Sequence, residues 1–348
     1  MIAALCLLGG AALAVFIWDH TSQTVGRKFF CGNLLSREDV TSAGIDLSDY
    51  SLTEQSSPDD FKIQQLCKIY SPARATTVPA FSLKYEEAGQ TWPYGANSYY
   101  DPLQYTSQFP LGNGINGWVG NGWASVRLPD SCTPKTRIKN GPLEVTVNFG
   151  GDQAKRWSNE ETRKRMSTVL MKSAIGVTRS LGCSTKDFTA PNIPPEPHQG
   201  KASRTSTCEL PGFSPFREDA QVQNFPEVTS GDDYRVWSCA LRPDNDTPGA
   251  FTAFSITKND QLINDYEKRN PASHPASTPG QGLGSIADQS PILLTECSGS
   301  KTLFRMMTYT SKQYPDNYRL AAKSLLPDKE MFEQFVLAAT KKMGCASS

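Results

Sequence analysis

The sequence predicts an α+β fold in two tandem copies, each an antiparallel sheet stapled to a helix by disulfides, after an N-terminal membrane segment. Three observations predict this architecture. The cysteines form two similarly spaced sets of four, strand and helix patterns recur in the same order in both halves, and residues 2–18 carry no charge. Duplicated, cysteine-rich sequences are typical of oxidising, extracytoplasmic compartments.

The cysteine spacing indicates the duplication. Cysteines of the first set lie 36, 65 and 51 positions apart, and those of the second lie 31, 58 and 48 apart. The two sets are Cys31, Cys67, Cys132 and Cys183, and Cys208, Cys239, Cys297 and Cys345. Four cysteines allow three pairings, and sequence alone does not choose among them.

We expect the first cysteine to pair with the second and the third with the fourth in each copy. The third precedes a strand pattern, and the fourth ends a helix that should pack back across that strand. Each bond would stabilise the fold by about 2–4 kcal/mol. A metal site is disfavoured, because the chain has no C-x2-C or H-x3-H spacing.

Strand patterns follow the cysteines in a shared order. Short apolar runs at 81–83 and 254–256 come after the second cysteine of each set. An alternating apolar run at 143–149 comes after the third cysteine of the first set, and the apolar run at 303–307 matches it in the second. Both kinds of run predict strands.

An amphipathic helix is predicted before the last cysteine of each set. Ser158 and Glu161 form a capping box for the first helix, and Pro327 lies near the start of the second. The first apolar stripe is Met166, Val169, Leu170, Val177 and Leu181. The second is Phe332, Phe335, Val336, Ala339 and Met343. We interpret both stripes as core that packs on a sheet, with no cofactor role.

Length and composition agree with two soluble domains of ordinary size. The chain has 348 residues and equal numbers of basic and acidic residues, 35 of each. This balance disfavours a nucleic-acid partner, which a basic surface would bind. The predicted organisation is a membrane anchor or signal segment at 1–20, a juxtamembrane linker at 21–28, the first domain at 29–187, a Pro-rich linker at 188–206 and the second domain at 207–348.

The uncharged run at 2–18 predicts a single-pass anchor in the cell membrane, with the body extracytoplasmic. Its length lies between a signal-peptide core of up to about 15 residues and the roughly 20 residues that span a bilayer. Trp18 suits the membrane interface, and more apolar residues follow the small-residue site at Ala14. Cleavage after Ala14 is the alternative.

Charges next to this run favour the opposite orientation. Arg27 and Lys28 follow it and no basic residue precedes it, which by the positive-inside rule would place the body in the cytoplasm. We give the eight paired cysteines greater weight and expect a basic segment upstream of Met1. The genomic sequence before Met1 tests this expectation, and an immediate in-frame stop codon would refute it.

Residues 31–40, CGNLLSREDV, resemble the start of actinobacterial exported lipoprotein-like domains of unknown function. The resemblance implies a compact α+β fold with a curved antiparallel sheet, and an envelope binding or sensor role rather than catalysis. It is confined to the first copy, because Cys208 is followed by Glu-Leu-Pro-Gly. The lipidation cysteine of that group is also absent.

Motifs for catalysis are scarce. The three histidines, His20, His198 and His274, lie beside the anchor, in the linker and in a Pro/Ser-rich loop. The stretch 112–117 matches G-x-G-x-x-G, but the Trp and Gly residues that follow do not begin the helix that a dinucleotide site requires. Candidate carboxylate pairs are Glu86 with Glu87, Asp232 with Asp233, and Asp244 with Asp246; side by side in sequence, they are typical of surface decoration.

The halves differ most in one aromatic segment. Residues 85–123 contain nine aromatics, whereas the comparable residues 258–296 contain only Tyr266. Rigid aromatics among Gly and Asn are typical of recognition surfaces. The candidate ligand-binding residues are Trp92, Tyr94, Tyr99, Tyr100, Tyr105, Trp118 and Trp123. The alternative is that these aromatics form a satellite core or fill a cleft between the copies.

Three functions therefore remain open. The leading hypothesis is a non-catalytic, membrane-anchored binding or sensor protein of the bacterial envelope without a cofactor, whose partner is a glycan, a cell-wall component or a protein. The second is a structural or assembly component. The third is an envelope hydrolase that uses paired carboxylates. A cleft with convergent acids would favour the hydrolase, and an exposed aromatic patch would favour the binding protein.

Overall fold

The computed structural model describes residues 28–42, 44–45, 51–53, 63–70, 80–87, 109–113, 115–120, 122–136, 142–150, 160–186, 188–193, 198–220, 225–231, 234–242, 252–269, 275–276, 282–285, 291–308, 319 and 323–345. The predicted membrane segment at 2–18 lies outside them. Among the described residues, no helix combines the length and the apolarity needed to cross a membrane.

The fold is α+β with antiparallel sheets, which confirms the predicted fold class at this level. Contacts divide the chain into two compact units. One comprises 1–88 with 121–191, and the other comprises 89–120 with 192–348. The predicted domain bounds, 29–187 and 207–348, stay a prediction.

The elements of the first half are two short strands and a helix followed by a series of strands and a long helix. They are β1 (Phe29–Phe30), β2 (Leu35–Ser36), α1 (Arg37–Ser42), β3 (Ser51–Thr53), β4 (Ile63–Tyr70), β5 (Phe81–Glu87), β6 (Phe109–Pro110), β7 (Gly117–Val119), β8 (Trp123–Arg127), a 3-10 turn (Asp130–Lys135), β9 (Leu143–Phe149) and α2 (Glu160–Ser180).

The second half repeats this kind of series. Its elements are β10 (His198–Lys201), a 3-10 turn (Thr207–Glu209), β11 (Pro226–Ser230), β12 (Val236–Leu241), β13 (Thr252–Thr257), α3 (Asp260–Arg269), β14 (Pro275–Ala276), β15 (Gly282–Ser285), β16 (Ile292–Cys297), β17 (Ser300–Thr308) and α4 (Asp328–Lys342). The four strand runs and the two helices predicted from the sequence lie within β5, β9, β13, β17, α2 and α4.

Strand β10 lies inside the segment predicted as a Pro-rich linker. It pairs with β11 in antiparallel register, with His198 opposite Thr229 and Lys201 opposite Pro226. It is an edge strand, because it is first in the order of its sheet and pairs with β11 alone. An edge strand is held by backbone hydrogen bonds and needs no apolar alternation, so the linker-like composition concealed it.

The first larger sheet has the order β3-β4-β5-β9-β8-β7-β6. Helix α2 contacts β8 and β9, and its stripe from Met166 to Val177 is buried as predicted. The sheet supplies a matching buried apolar face: Phe81, Leu83, Tyr85, Ala124, Val126, Val145, Val147 and Phe149. Alternation along each strand therefore leaves the polar residues of β5, β8 and β9 on the opposite face.

The second larger sheet has the order β10-β11-β12-β13-β17-β16-β15-β14. One face forms the core with α4, and Phe335 is the centre of this core at 0% exposure. Its ring packs against five other aromatic rings: Phe213, Trp237, Phe254, Phe304 and Phe332. On the other face, Ile263 of α3 packs on Leu294 and Leu303.

Both long helices end in the same Gly-Cys device. Gly182 and Gly344 each adopt φ +67°, the left-handed conformation in which glycine has no Cβ penalty. The next amide, that of Cys183 or Cys345, then donates back into the last helical turn over 2.9 Å. This is the Schellman ending, and it explains why the two sequences share Gly-Cys at this point.

The disulfides follow the predicted pairing. The bonds and their Cα–Cα distances are Cys31–Cys67 at 5.0 Å, Cys132–Cys183 at 5.6 Å, Cys208–Cys239 at 5.7 Å and Cys297–Cys345 at 4.8 Å. In the first half, the second bond links Cys183, just beyond the end of α2, to Cys132 in the turn after β8. In the second half, it links Cys345, just beyond the end of α4, to Cys297 at the end of β16. The helix is thus held across its sheet.

Candidate functional site

The candidate site is the face of the first sheet opposite α2, which we call the polar face. Cross-strand register places its side chains in three rows over β5, β9 and β8. The rows are Ser82, Asn148 and Trp123; Lys84, Thr146 and Ser125; and Glu86, Glu144 and Arg127. Side chains two residues apart on a strand share a face, so all nine lie on one surface.

Much of this polar face is shielded from solvent, whereas Lys84, Trp123, Arg127 and Asn148 are partly exposed. Ser125 is 0% exposed, Glu86 and Thr146 are 4% exposed, and Glu144 is 9% exposed. Burying polar groups costs free energy unless each finds a partner. The polar atoms of this face therefore either all find hydrogen-bond partners within the protein or are left open for a ligand.

Glu86 has internal partners. Lys84 Nζ forms an ion pair with it at 2.8 Å, and the Thr146 hydroxyl donates to Glu86 Oε1 over 3.4 Å. At the edge of the face, Arg127 pairs with Asp130 at 3.3 Å. Each of the two cations on the face thus has a carboxylate neighbour.

Glu144 differs from Glu86. Complete burial raises the pKa of Glu144 from 4.5 to about 7, and the Glu86 charge adds to the rise. Interaction with the Ser125 hydroxyl, Lys84 and Arg127 opposes it. Its Oε1 atom accepts no hydrogen bond from any described residue. Directly opposed on neighbouring strands, Glu86 and Glu144 form a carboxyl pair in which Glu144 is about half protonated at neutral pH.

A second buried polar atom on the face also lacks a partner. Among the described residues, Trp123 Nε1 donates to nothing, although the atom is shielded from solvent. The indole N–H is a donor only, and it normally finds an acceptor when buried. A donor at Trp123 and an acceptor at Glu144 therefore remain open on one surface.

The predicted aromatic site is described only in part. Trp123 lies on the polar face, and Trp118 lies in β7 with 8% exposure. A role of Trp118 in ligand binding stays a prediction. The remaining predicted residues, Trp92, Tyr94, Tyr99, Tyr100 and Tyr105, lie outside the described residues.

The structure separates the carboxylates that are adjacent in sequence. Glu86 and Glu87 are neighbours on β5, so they point to opposite faces and do not form a pair. Asp232, Asp233, Asp244 and Asp246 lie outside the described residues. Sequence analysis missed Glu144, because only the pairing of β5 with β9 brings it opposite Glu86.

Part of the corresponding face of the second sheet is apolar. Aligning the pairs Phe81–Phe149 and Phe254–Met306 places Ile292, Leu294 and Leu303 where the first sheet has Trp123, Ser125 and Thr146. These three side chains form one apolar cluster with Ile263 and Tyr266 of α3. The other corresponding positions are polar, and Lys301, at the position of Glu144, pairs with Glu267 of α3 at 2.7 Å.

The glycine-rich stretch 112–117 leads into β7 rather than into a helix, in agreement with its rejection as a dinucleotide site. One potential metal-ligand group exists among the described residues, made of Cys208, Glu227 and Cys239. Its members are far apart in sequence, so no motif with metal-ligand spacing predicts this group.

No protein-family model, curated protein or solved structure matches the chain. The resemblance of residues 31–40 to exported lipoprotein-like domains therefore stays a prediction.

Proposed function

We propose that the protein is a binding protein of the bacterial envelope, anchored by residues 2–18, whose first unit carries the ligand-recognition face. The observation that carries the proposal is a pair of buried hydrogen-bonding atoms on the polar face. Among the described residues, Trp123 Nε1 and Glu144 Oε1 have no hydrogen-bond partner. In the second sheet, by contrast, Leu294 and Leu303 fill part of the corresponding face beneath α3.

A tandem duplication supports this division of labour. The order β3-β4-β5-β9-β8-β7-β6 corresponds strand for strand to β11-β12-β13-β17-β16-β15-β14. In each half the long helix follows the strand at the centre of this order and ends in Gly-Cys. Cys31 and Cys208, the first cysteines, also share left-handed backbone conformations, with φ 56° and 59°.

The polar face favours an uncharged, hydroxyl-rich ligand. Lys84 and Arg127 are neutralised by Glu86 and Asp130, and the raised pKa of about 7 leaves Glu144 only about half ionised near pH 7. What the face offers is therefore hydrogen bonds and an indole rather than net charge. Aromatic faces with a few polar groups suit the apolar and hydroxyl surfaces of a sugar ring, so a cell-wall glycan is the leading partner.

Binding of soluble cell-wall fragments tests the proposal. The full chain, purified in detergent, is titrated with muropeptides in a calorimeter. Trp123→Phe removes the Nε1 donor and keeps an aromatic ring, so we expect it to weaken binding about tenfold.

The control is Trp237→Phe, which makes the same chemical change in the core of the second unit. It should leave the affinity unchanged. A wild-type chain that binds no fragment, or equal loss in both variants, would contradict the proposal.

Catalysis is the second candidate, and Glu86 with Glu144 favours it. Glu144 lies directly opposite Glu86, and its pKa, raised to about 7, is in the range that suits a general acid near neutral pH. A cell-wall suspension incubated with the protein would then lose turbidity. Glu86→Gln and Glu144→Gln should each abolish that loss, while Glu87→Gln, on the opposite face, should not.

A further inference from the structure

A buried carboxylate lies against one disulfide of the second unit. The ligand atoms of Cys208, Cys239 and Glu227 all lie within 4.8 Å of one another, and all three residues are buried. Glu227 Oε2 accepts a hydrogen bond from the Cys208 amide over 2.6 Å. The carboxylate is thus held beside the two sulfurs by the backbone itself.

An unpartnered hydroxyl on the same sheet face points to a missing ligand. Thr229 lies directly opposite Cys239 in the β11–β12 register, and Glu227 lies two residues away on the same side of β11. Thr229 is 5% exposed. Among the described residues, its Oγ1 has no hydrogen-bond partner. Buried hydroxyls normally find one, so the hydroxyl marks a place where a bound group is accommodated.

A histidine stands at the edge of this cluster. His198 lies opposite Thr229 on β10 and therefore shares its face. Its Nδ1 pairs with Glu209 at 2.7 Å, which leaves Nε2 as the other ring nitrogen. A histidine held through one nitrogen by a carboxylate is the usual arrangement around protein-bound zinc.

We propose that reduction of the Cys208–Cys239 disulfide turns this cluster into a site for Zn²⁺ or a similar thiophilic divalent cation, with Cys208, Cys239 and Glu227 as ligands. Two thiolates and a carboxylate are a zinc-type donor set, and a fourth tetrahedral position is left for water or for His198. The Thr229 hydroxyl then donates to the Cys239 thiolate.

The chemistry balances in two steps. A dithiol reductant transfers two electrons and two protons, so the protein disulfide becomes two thiols and the reductant becomes a disulfide. Binding of the cation by the thiolates then releases the two thiol protons. Oxidation reverses the sequence and expels the metal, so metal occupancy would report the redox state of the compartment.

The test uses cobalt as the probe, because its near-ultraviolet charge-transfer band reports thiolate ligands. The full chain is reduced with a phosphine, which gives two electrons to the disulfide, takes an oxygen atom from water and becomes a phosphine oxide. The reduced chain is then titrated with Co²⁺ and competed with Zn²⁺. We expect one equivalent of Co²⁺ with a thiolate band, displaced by Zn²⁺ and absent from the oxidised chain. Near-ultraviolet circular dichroism follows the fold throughout.

Two carboxylate variants isolate the role of Glu227. Glu227→Gln should bind Co²⁺ at least about tenfold more weakly. Glu296→Gln is the matched control, because Glu296 is an exposed carboxylate next to Cys297, which belongs to another disulfide. Its affinity should equal that of the wild type.

A double variant, Cys132→Ser with Cys183→Ser, should keep the band, because those sulfurs are not ligands. Absence of the band in the reduced wild-type chain would overturn the proposal, as would binding that needs prior loss of the near-ultraviolet signal. Equal affinity of the Glu227→Gln and Glu296→Gln variants would overturn it too.

Discussion

Replacing Glu144 by glutamine tests whether the polar face contains a neutral, buried carboxyl group. Burial raises the pKa of Glu144 from 4.5 to about 7. The folded chain therefore holds a proton that the unfolded chain releases between these two values. Because the folded state binds more protons there, stability must fall as the pH rises through that window.

The expected size follows from the two pKa values. Each pKa unit corresponds to about 1.4 kcal/mol, so ionisation of Glu144 at high pH costs about 3 kcal/mol of the free energy of unfolding. Glu144→Gln keeps the shape and removes the ionisation. We expect the variant to lose this pH dependence and to exceed the wild type in stability at about pH 8 by up to about 3 kcal/mol.

Urea unfolding at a series of pH values, with the disulfides intact, measures this difference. Glu87→Gln is the control, because Glu87 lies one residue along β5 on the opposite face from Glu86 and Glu144. Its stability should follow the wild type at every pH. The reasoning fails if wild-type and Glu144→Gln stabilities stay parallel between about pH 5 and pH 8.

Three further predictions concern the frame around the sites. Phe335→Ala should lower the free energy of unfolding by about 3–5 kcal/mol by emptying the centre of the second core, whereas Leu337→Ala, at 71% exposure, should change it by less than about 0.5 kcal/mol. Gly231→Ala should lower the melting temperature far more than Gly299→Ala does. Both glycines have positive φ, but a Cβ at Gly231 would clash with the backbone oxygen of Val236, whereas one at Gly299 would meet no atom within 4 Å. Burial acts to raise the pKa of Asp39, but hydrogen bonds from Lys172 and Ser36 outweigh it and hold the pKa below its ordinary value. The stabilisation by Asp39 is therefore present above about pH 4 and lost as the pH falls through the lowered pKa. In Asp39→Asn, the free energy of unfolding should depend less on pH in this acid range.

Local signals in the sequence were sufficient to predict the main strands, the long helices and the disulfide partners of each half. The order of cysteines, strands and helices along the chain favoured the disulfide partners, because the third cysteine precedes a strand and the fourth ends the helix that packs back across it. Alternation predicted β9, whose apolar side faces α2. These features depend on residues that are close in sequence, where periodicity and capping act.

The sites depend on pairing across strands, which a single sequence does not encode locally. Glu86 meets Glu144 only through the β5–β9 register, and Glu227 meets Cys239 only after β11 pairs with β12. Glu86 and Glu87, selected from the sequence as a pair, are consecutive on β5, and a strand sends consecutive side chains to opposite faces. A search for acidic residues on the polar side of each alternating run would have found Glu144.

The second sheet shows that the fold does not require a buried carboxyl at the position of Glu144. Under the proposed duplication, Lys301 stands at this position and pairs with Glu267 of α3 at 2.7 Å. Beside it, Leu294 and Leu303 pack beneath the same helix. A buried carboxyl such as Glu144 costs free energy, and it survives in a fold only where that cost is offset. The first copy is therefore where selection for ligand contact should be sought.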